Sequence, residues 1–425
     1  TRLSRGRLRV RVPYTPPQKI NTLMQHIRKQ FPIFNTPLPN GQKLVYLDSA
    51  NSSQKPQRVL DRLYNFYAQE YSSVGRSIHQ LSSGASQRLS ESREAVAKFL
   101  NAGSSDEIIF TKSATEAINT IAESFGRTQR DHYEIICSEL EHNSNYLPWH
   151  LQRAHKNATI KFLPLKDDYT LDVDKLESLI TEKTKMIAIT QLSNVTGEII
   201  DVKKICEIAH SKDIAVFIDG TQAVQHMKVD VQDIDCDFYC ISGHKMYGPS
   251  GVGALYAKAK WLDELSPFQG GGGTVFDVTQ DVIQYAEGPK KWEAGTHPVA
   301  EIIALKEAVD FYYEVGFDNI LNHEKELIEY LYGKLASDND IQLLCGDNPN
   351  AVLSFNVKGI HHEDLSMFLD EYGIATRPGQ HCAMLFHKKF GLTGSVRVSL
   401  GVYNNKEEMD FFVDSLNEIK RKLSK

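Results

Sequence analysis

Seven short apolar runs, most of them separated by stretches of helical spacing, do more than anything else to constrain what this chain can fold into. They fall at Ile108-Ile109-Phe110, Ile135-Ile136-Cys137, Ile160 to Leu163, Met186 to Ile189, Val216 to Ile218, Phe238 to Ile241 and Gly253 to Tyr256. Helical spacing lies between them, for example over Ser90 to Leu100 and Val202 to Ala209. Apolar strands alternating with helices predict an α/β fold with a mostly parallel, doubly wound sheet buried on both faces. After about residue 300 the pattern changes. Two long helical stretches (Ala300 to Val315, His323 to Leu335) precede strands near Ala351 to Val357 and Ser395 to Leu400, and Asn405 caps a closing helix over Lys406 to Leu423. With 425 residues, too many for a single core, the chain divides into a large domain over 46–298 and a smaller α+β domain over 299–425. The segment 20–45 packs with the small domain, starting with a helix whose face is Ile20, Leu23, Met24, Ile27 and Phe31.

Residues 1–19 form a basic arm carrying Arg2, Arg5, Arg7, Arg9, Arg11 and Lys19, and Asp48 is the first acidic residue of the chain. Pro13, Pro16 and Pro17 keep the arm from being helical before Ile20. Such an arm suits either the remnant of an organelle transit peptide or a poorly ordered tail. Elsewhere the charge is balanced, 48 basic against 54 acidic residues, which argues against a nucleic-acid partner. No apolar run approaches the roughly 18 residues of a membrane span. Six cysteines are too sparse for a disulfide framework. Cys236 and Cys240 flank Asp237-Phe238-Tyr239 in a predicted strand and read as buried side chains, so no metal is expected. The expectation is a reduced, cytoplasmic protein, or an organellar one if the arm is a transit remnant.

The strand ends carry the chemistry. Val216-Phe217-Ile218 ends in Asp219-Gly220-Thr221-Gln222, and the next strand ends in Ser242-Gly243-His244-Lys245. In an open α/β sheet, ligands bind at the carboxyl ends of strands. A lysine and an aspartate meeting there suit pyridoxal phosphate: the lysine holds it as a Schiff base and the acid partners its pyridinium nitrogen. Thr111-Lys112-Ser113-Ala114-Thr115-Glu116 follows a strand and opens a helix, a place that favours phosphate. Ser242 and His244 flank the lysine within reach of phosphate, and Gln222 is suited to the ring's phenolic oxygen.

Together with these motifs stand Tyr46-Leu47-Asp48-Ser49-Ala50, Glu141-His142-Asn143-Ser144-Asn145, Ser193-Asn194-Val195-Thr196-Gly197 and Glu293-Ala294-Gly295-Thr296. Later come Arg377-Pro378-Gly379-Gln380-His381-Cys382-Ala383-Met384 and Val396-Arg397-Val398-Ser399-Leu400. From about residue 30 to its end the chain resembles class V aminotransferase-fold enzymes (fold type I), and among them the SufS-type, or group II, cysteine desulfurases. The resemblance implies that Lys245 holds the cofactor and shuttles a proton at the substrate's α-carbon. It implies that His142 stacks on the ring while Asp219 and Gln222 address its nitrogen and oxygen. Thr115, Ala114, Ser242 and His244 would form the phosphate site, joined by Thr296 of a second copy in a homodimer. Arg397, assisted by Asn194 and Arg377, would bind the carboxylate of L-cysteine, for which a guanidinium has bidentate geometry.

The nucleophile implied is Cys382, whose thiolate would take sulfur as a persulfide, with alanine as the second product. His381, beside it, is a candidate to tune the thiol. The sulfur would pass to an acceptor of SufE or SufU type for iron–sulfur cluster assembly, and a zinc-bearing acceptor would want a histidine such as His361 or His362, which also read as surface residues at a helix start. Gly270 to Trp292 fits an extended hairpin. The chain departs from the family pattern at Gly75, Ala114, Asn143 and Gln380 without losing a group the scheme needs. A selenocysteine lyase, an epimerase or an aminotransferase of the same fold would keep Lys245, Asp219 and His142 without requiring Cys382, and a silent scaffold would require none of them.

Overall fold

The computed structural model describes residues 17–75 and 77–423, so residues 1–16 of the basic arm and Arg76 lie outside the described residues. The first helix, Pro17–Arg28, begins earlier than the prolines led one to expect. Proline is accepted in a helix's first turn, where its missing N–H would have no partner anyway. Met24, Ile27 and Phe31 are buried as their spacing predicted. Phe31 is edge-on to Tyr247, Phe311 and Tyr403 at ring distances of 5.8, 5.7 and 4.9 Å, which fastens the N-terminal segment behind the lysine turn.

After β1 (Val45–Tyr46) come the strands of the large sheet: β2 (Ile108–Thr111), β3 (Tyr133–Ser138), β4 (Ala158–Leu163), β5 (Thr184–Thr190), β6 (Ala215–Asp219), β7 (Phe238–Ser242) and β8 (Gly253–Ala257). All seven apolar runs are therefore strands, in the order β2-β8-β7-β6-β5-β3-β4. Pairing is parallel from β7 through β6, β5 and β3 to β4, while β8 runs antiparallel to both its neighbours. Alternate residues serve opposite faces. Phe217, Phe238, Ile135 and Cys137 pack with Trp149 and the helix Ala114–Thr128. Val216, Ile218, Tyr239 and Ile241 pack with the helices Val202–His210 and Val299–Val315 on the other side.

Register decides what meets at the sheet's carboxyl edge. Thr190 lies beside Asp219, and Asp219 beside Cys240. Thr111 and Ser242 both pair with Gly253, so the ends of β2 and β7 flank one residue of β8. A side chain there is impossible: a Cβ on Gly253 would stand 2.6 Å from Ile241 O and 2.9 Å from Ser113 Cα.

An exposed antiparallel hairpin of β9 (Val275–Val278) and β10 (Ile283–Tyr285) realises the expected extension over Gly270 to Trp292. A second sheet follows, ordered β11-β12-β15-β14 and antiparallel throughout, from Ile341–Leu343, Val352–Val357, Ser395–Ser399 and Arg377–Gly379. Between these strands in sequence, β13 (Ile374–Ala375) pairs in parallel with β1. The closing helix spans Lys406–Leu423, and Glu408 N donates to Asn405 Oδ1 at 2.9 Å, the predicted cap. Such a bond stabilises a helix by about 1 kcal/mol. Gly75 has φ +124, a conformation in which the histidine usual in the family would be strained. Among the described residues no helix is long and apolar enough to cross a membrane.

Candidate active site

A cleft of about 210 Å³ opens at the carboxyl edge of the large sheet. Every residue predicted for the site lines it except Thr296 and Arg397. Two larger hollows beside Asp340 and Asn417 are open and hold none of these groups.

One end is a corner rich in hydroxyls at a helix start. The helix Ala114–Thr128 starts where β2 stops, capped by Ser113, whose side chain accepts from Glu116 N at 3.4 Å. Ala114 N donates to Ser242 Oγ at 2.9 Å, joining the helix start to the end of β7. Thr115 Oγ1 and Ser144 Oγ stand 2.8 Å apart. Hydroxyls around a helix N-terminus favour an anion. Opposite, the carbonyl of His244 accepts from Ser53 N at 3.0 Å and from Lys55 Nζ at 3.0 Å, so the segment after β1 pins the lysine turn. Ser52, Lys55 and Ser144 were not singled out from the sequence, because nothing local ties them to this corner.

The floor is Lys245, Asp219 and His142. Burial pulls the Lys245 amine down to about 8, Arg397 pushes the same way, and Asp219 opposes. Asp219 Oδ1 accepts from Thr221 N at 3.0 Å and from Cys240 Sγ at 3.7 Å, and among the described residues its second oxygen has no donor. His142 Nδ1 accepts from Ser144 N at 3.0 Å, placing the neutral ring's proton on Nε2. Burial, then Lys245, Arg397 and Arg377, drive its pKa down to about 3. Burial, then Lys245 and Lys55, bring His244 down to about 4. The sequence did not mark out Glu141. It is fully buried, accepts from Ser138 Oγ at 2.6 Å and Asn145 Nδ2 at 2.7 Å, and burial pushes it up to about 8.

Cys382 closes the cleft from the second sheet's side. His381 and Cys382 both take left-handed backbone conformations, with φ +52 and +56, which cost a non-glycine residue energy unless the surroundings impose them. They are imposed here. Asn194 Nδ2 donates to His381 O at 2.8 Å, and Asn143 N donates to Cys382 O at 2.6 Å. The His381 ring turns away from the thiol, and its Nε2 lies 2.8 Å from Ser395 Oγ. That corrects the expectation that His381 tunes Cys382. The group that reaches the thiol is Arg377, whose NH2 donates to Sγ at 3.7 Å.

Arg397 departs from expectation in position. It is buried behind the cleft wall, with NH1 on Asn194 O at 3.0 Å and NH2 on Asp48 Oδ1 at 3.2 Å. Its Nε has no partner among the described residues. Thr296 is exposed, outside this chain's cleft. His361 caps the helix His362–Glu371, whereas His362 is buried rather than on the surface. Cys236 and Cys240 are both buried at β7.

The residues present fit pyridoxal phosphate. A buried amine, an acceptor carboxylate and a hydroxyl-rich helix start share one cleft, and Gln222 Oε1, a buried polar atom beside it, has no partner among the described residues. Gln222 Nε2 is engaged with Ala50 O at 2.7 Å. Buried polar groups are rarely left unpaired without a reason.

The chain matches the family model for class-V aminotransferases over residues 45–412. It is 42% identical over 403 residues to a cysteine desulfurase of Dickeya dadantii, covering 94% of this chain and 97% of that one. A probable cysteine desulfurase of Synechocystis sp. is 41% identical over 404 residues, covering 94% and 96%. Among solved structures, the cysteine desulfurase CsdA of Escherichia coli superposes with a TM-score of 0.87 at 35% identity, covering 94% of this chain and 98% of that one. The apo cysteine desulfurase of Thermococcus onnurineus gives 0.89 at 30% identity, covering 96% and 99%.

Proposed function

The chain belongs to the class-V aminotransferase family, and on that premise we propose that it is a cysteine desulfurase: it takes L-cysteine, releases L-alanine and carries the sulfur on Cys382. The observation that carries this reading is that Cys382 and Lys245 line one cleft although one follows β14 of the second sheet and the other follows β7 of the large one. A lyase or aminotransferase needs the lysine but has no use for a thiol facing it.

Bound pyridoxal phosphate supplies an electron sink for charge developing at the substrate's α-carbon. Lys245 holds it by its amine, and an amine with a pKa of about 8 moves protons readily near neutral pH. Asp219 would keep a proton on the ring nitrogen, with neutral His142 beside the ring. Thr115, Ser242 and His244 would hold the phosphate at the helix start by Ala114. Gln222 would address the ring's phenolic oxygen through its free amide oxygen or its remaining N–H. Arg397 and Arg377 receive the substrate carboxylate, with Asn194 beside them. To do so Arg397 exchanges part of its contact with Asp48 for the substrate. Cys382 Sγ attacks the substrate sulfur. The Cβ–S bond breaks with its electron pair going to carbon, protons complete alanine, and Cys382 is left as the persulfide.

The finer reading passes that sulfur to an acceptor protein of SufE or SufU type for iron–sulfur cluster assembly, with His361, the exposed member of its pair, available at the surface. It also pairs two copies so that Thr296 of one serves the cleft of the other, and it divides the sequence into units over 46–298 and 299–425. The position of Thr296 outside its own cleft supports the pairing, and the two separate sheets support the division.

The test is alanine and sulfide release from L-cysteine with a thiol reductant, parent against Cys382→Ala. Equimolar products from the parent and a loss of at least about a hundredfold in the variant are expected. A variant as fast as the parent would remove the thiol from the reaction and leave a lyase of the same fold.

A further inference from the structure

A line of polar contacts joins Arg377 in the cleft to Arg397 behind its wall through Asn51, a residue with no part in the mechanism above. Asp48, just after β1, accepts from Arg397 NH2 on Oδ1 at 3.2 Å and from Asn51 Nδ2 on Oδ2 at 3.0 Å. Asn51 Oδ1 in turn accepts from Arg377 NH1. Arg377 NH2 then donates to Cys382 Sγ at 3.7 Å. Asn51 therefore stands between the carboxylate end of the cleft and the thiol end, and it lines the cleft itself.

The Arg377 guanidinium makes no ion pair with a carboxylate among the described residues, and Asn51 is the only oxygen acceptor found for it there. A guanidinium has five N–H donors in a rigid fork, so one strong acceptor fixes the direction of the rest. The acceptor is itself well fixed. Asn51 N donates to Asp48 O at 3.1 Å, and the neighbouring Ala50 is held by Ser399 Oγ at 2.9 Å and Gln222 Nε2 at 2.7 Å. The turn after β1 thus sets where Arg377 points, and with it the donor that holds the Cys382 sulfur in place.

We propose that Asn51 is the positioning residue for Arg377 and, through it, for the Cys382 thiol. The inference rests on the reading of Cys382 as the sulfur-carrying nucleophile. Asn51 forms no bond in the reaction. It acts by keeping the guanidinium at the sulfur while Asp48 ties the same turn to Arg397.

The experiment is the rate of iodoacetamide alkylation of Cys382 at neutral pH, followed by peptide mass spectrometry. It compares cofactor-loaded parent, Asn51→Ala, Arg377→Ala and the double variant. In parallel, exchange of the α-proton of L-alanine in deuterium oxide reports on the lysine end, which needs no thiol. Each single variant is expected to slow alkylation about tenfold, the worth of a charge-assisted hydrogen bond, and the double variant to slow it no further. Exchange at saturating L-alanine in Asn51→Ala is expected to stay within about twofold of the parent, because a weaker carboxylate contact at Arg377 raises KM while the lysine end is untouched. Parent-like alkylation in Asn51→Ala, effects that multiply in the double variant, or exchange falling in step with alkylation would each overturn the proposal. A parent that alkylates as expected but releases neither alanine nor sulfide from L-cysteine sinks the desulfurase reading, not the link from Asn51 to the thiol.

Discussion

Replacing His142 by asparagine should make the cofactor-free protein more resistant to acid. In the folded chain burial, reinforced by three cationic neighbours, holds the imidazole pKa down to about 3, against an ordinary value of 6.5. Below pH 6.5 the unfolded chain therefore takes up a proton that the folded chain refuses. Stability rises with pH wherever the unfolded state binds more protons. The sign follows: the penalty is absent above about 6.5, grows as pH falls, and levels off near 3. Each pH unit inside that window is worth about 1.4 kcal/mol per proton, so going from pH 7 to pH 5 costs about 2 kcal/mol. Glu141 works in the opposite direction, since burial holds it protonated up to about 8 and its stabilisation is lost as pH rises through that value. Parent and variant share Glu141, so the difference between them isolates the histidine. Asparagine keeps an acceptor for Ser144 N and cannot take a proton. Urea unfolding at pH 7 and pH 5, followed by tryptophan fluorescence, should show His142→Asn losing about 2 kcal/mol less than the parent over that interval. Losses equal within about 0.5 kcal/mol would refute the burial argument.

Two further outcomes follow from the same geometry. Arg93 grips Glu293 with paired bonds of 2.6 and 2.8 Å, and the Glu293 side chain is 2% exposed, so Arg93→Ala strands a buried carboxylate and should cost about 3 kcal/mol in urea unfolding. An unchanged midpoint would show that Glu293, which also accepts from Phe110 N at 2.7 Å, does not depend on the arginine. Lys245, pulled down to about 8, should be labelled by an aldehyde and borohydride with a rate that climbs as pH rises through about 8 in the cofactor-free protein, read by peptide mass spectrometry. A midpoint near the ordinary lysine value of 10.5 would mean the amine is not desolvated.

Much of this was legible in the sequence because it is local. Apolar runs of strand length, helical spacing between them and a residue such as Asn405 before a periodic stretch each report on a few neighbouring residues, and all were found where expected. The motif positions were legible too: Asp219 and Lys245 fall at strand ends because strand length fixes where a chain leaves the sheet. The sequence alone thus determined an α/β chain with a lysine, an aspartate and a hydroxyl-rich helix start at one sheet edge.

Only the tertiary structure decided how those groups are used. His381 is adjacent to Cys382 in sequence, yet two successive left-handed residues turn its ring to Ser395 and leave the thiol to Arg377. The motif places Arg397 at an expected carboxylate site, but the bridge of Asp48 to Ser399 at the end of β15 brings Asp48 to it. The protonation states of Glu141, His142 and Lys245 are set by desolvation, and desolvation depends on what every distant segment covers. Asn51 carries no signal in its own stretch of chain. It acquires a role because the fold places it within hydrogen-bonding reach of both Asp48 and Arg377.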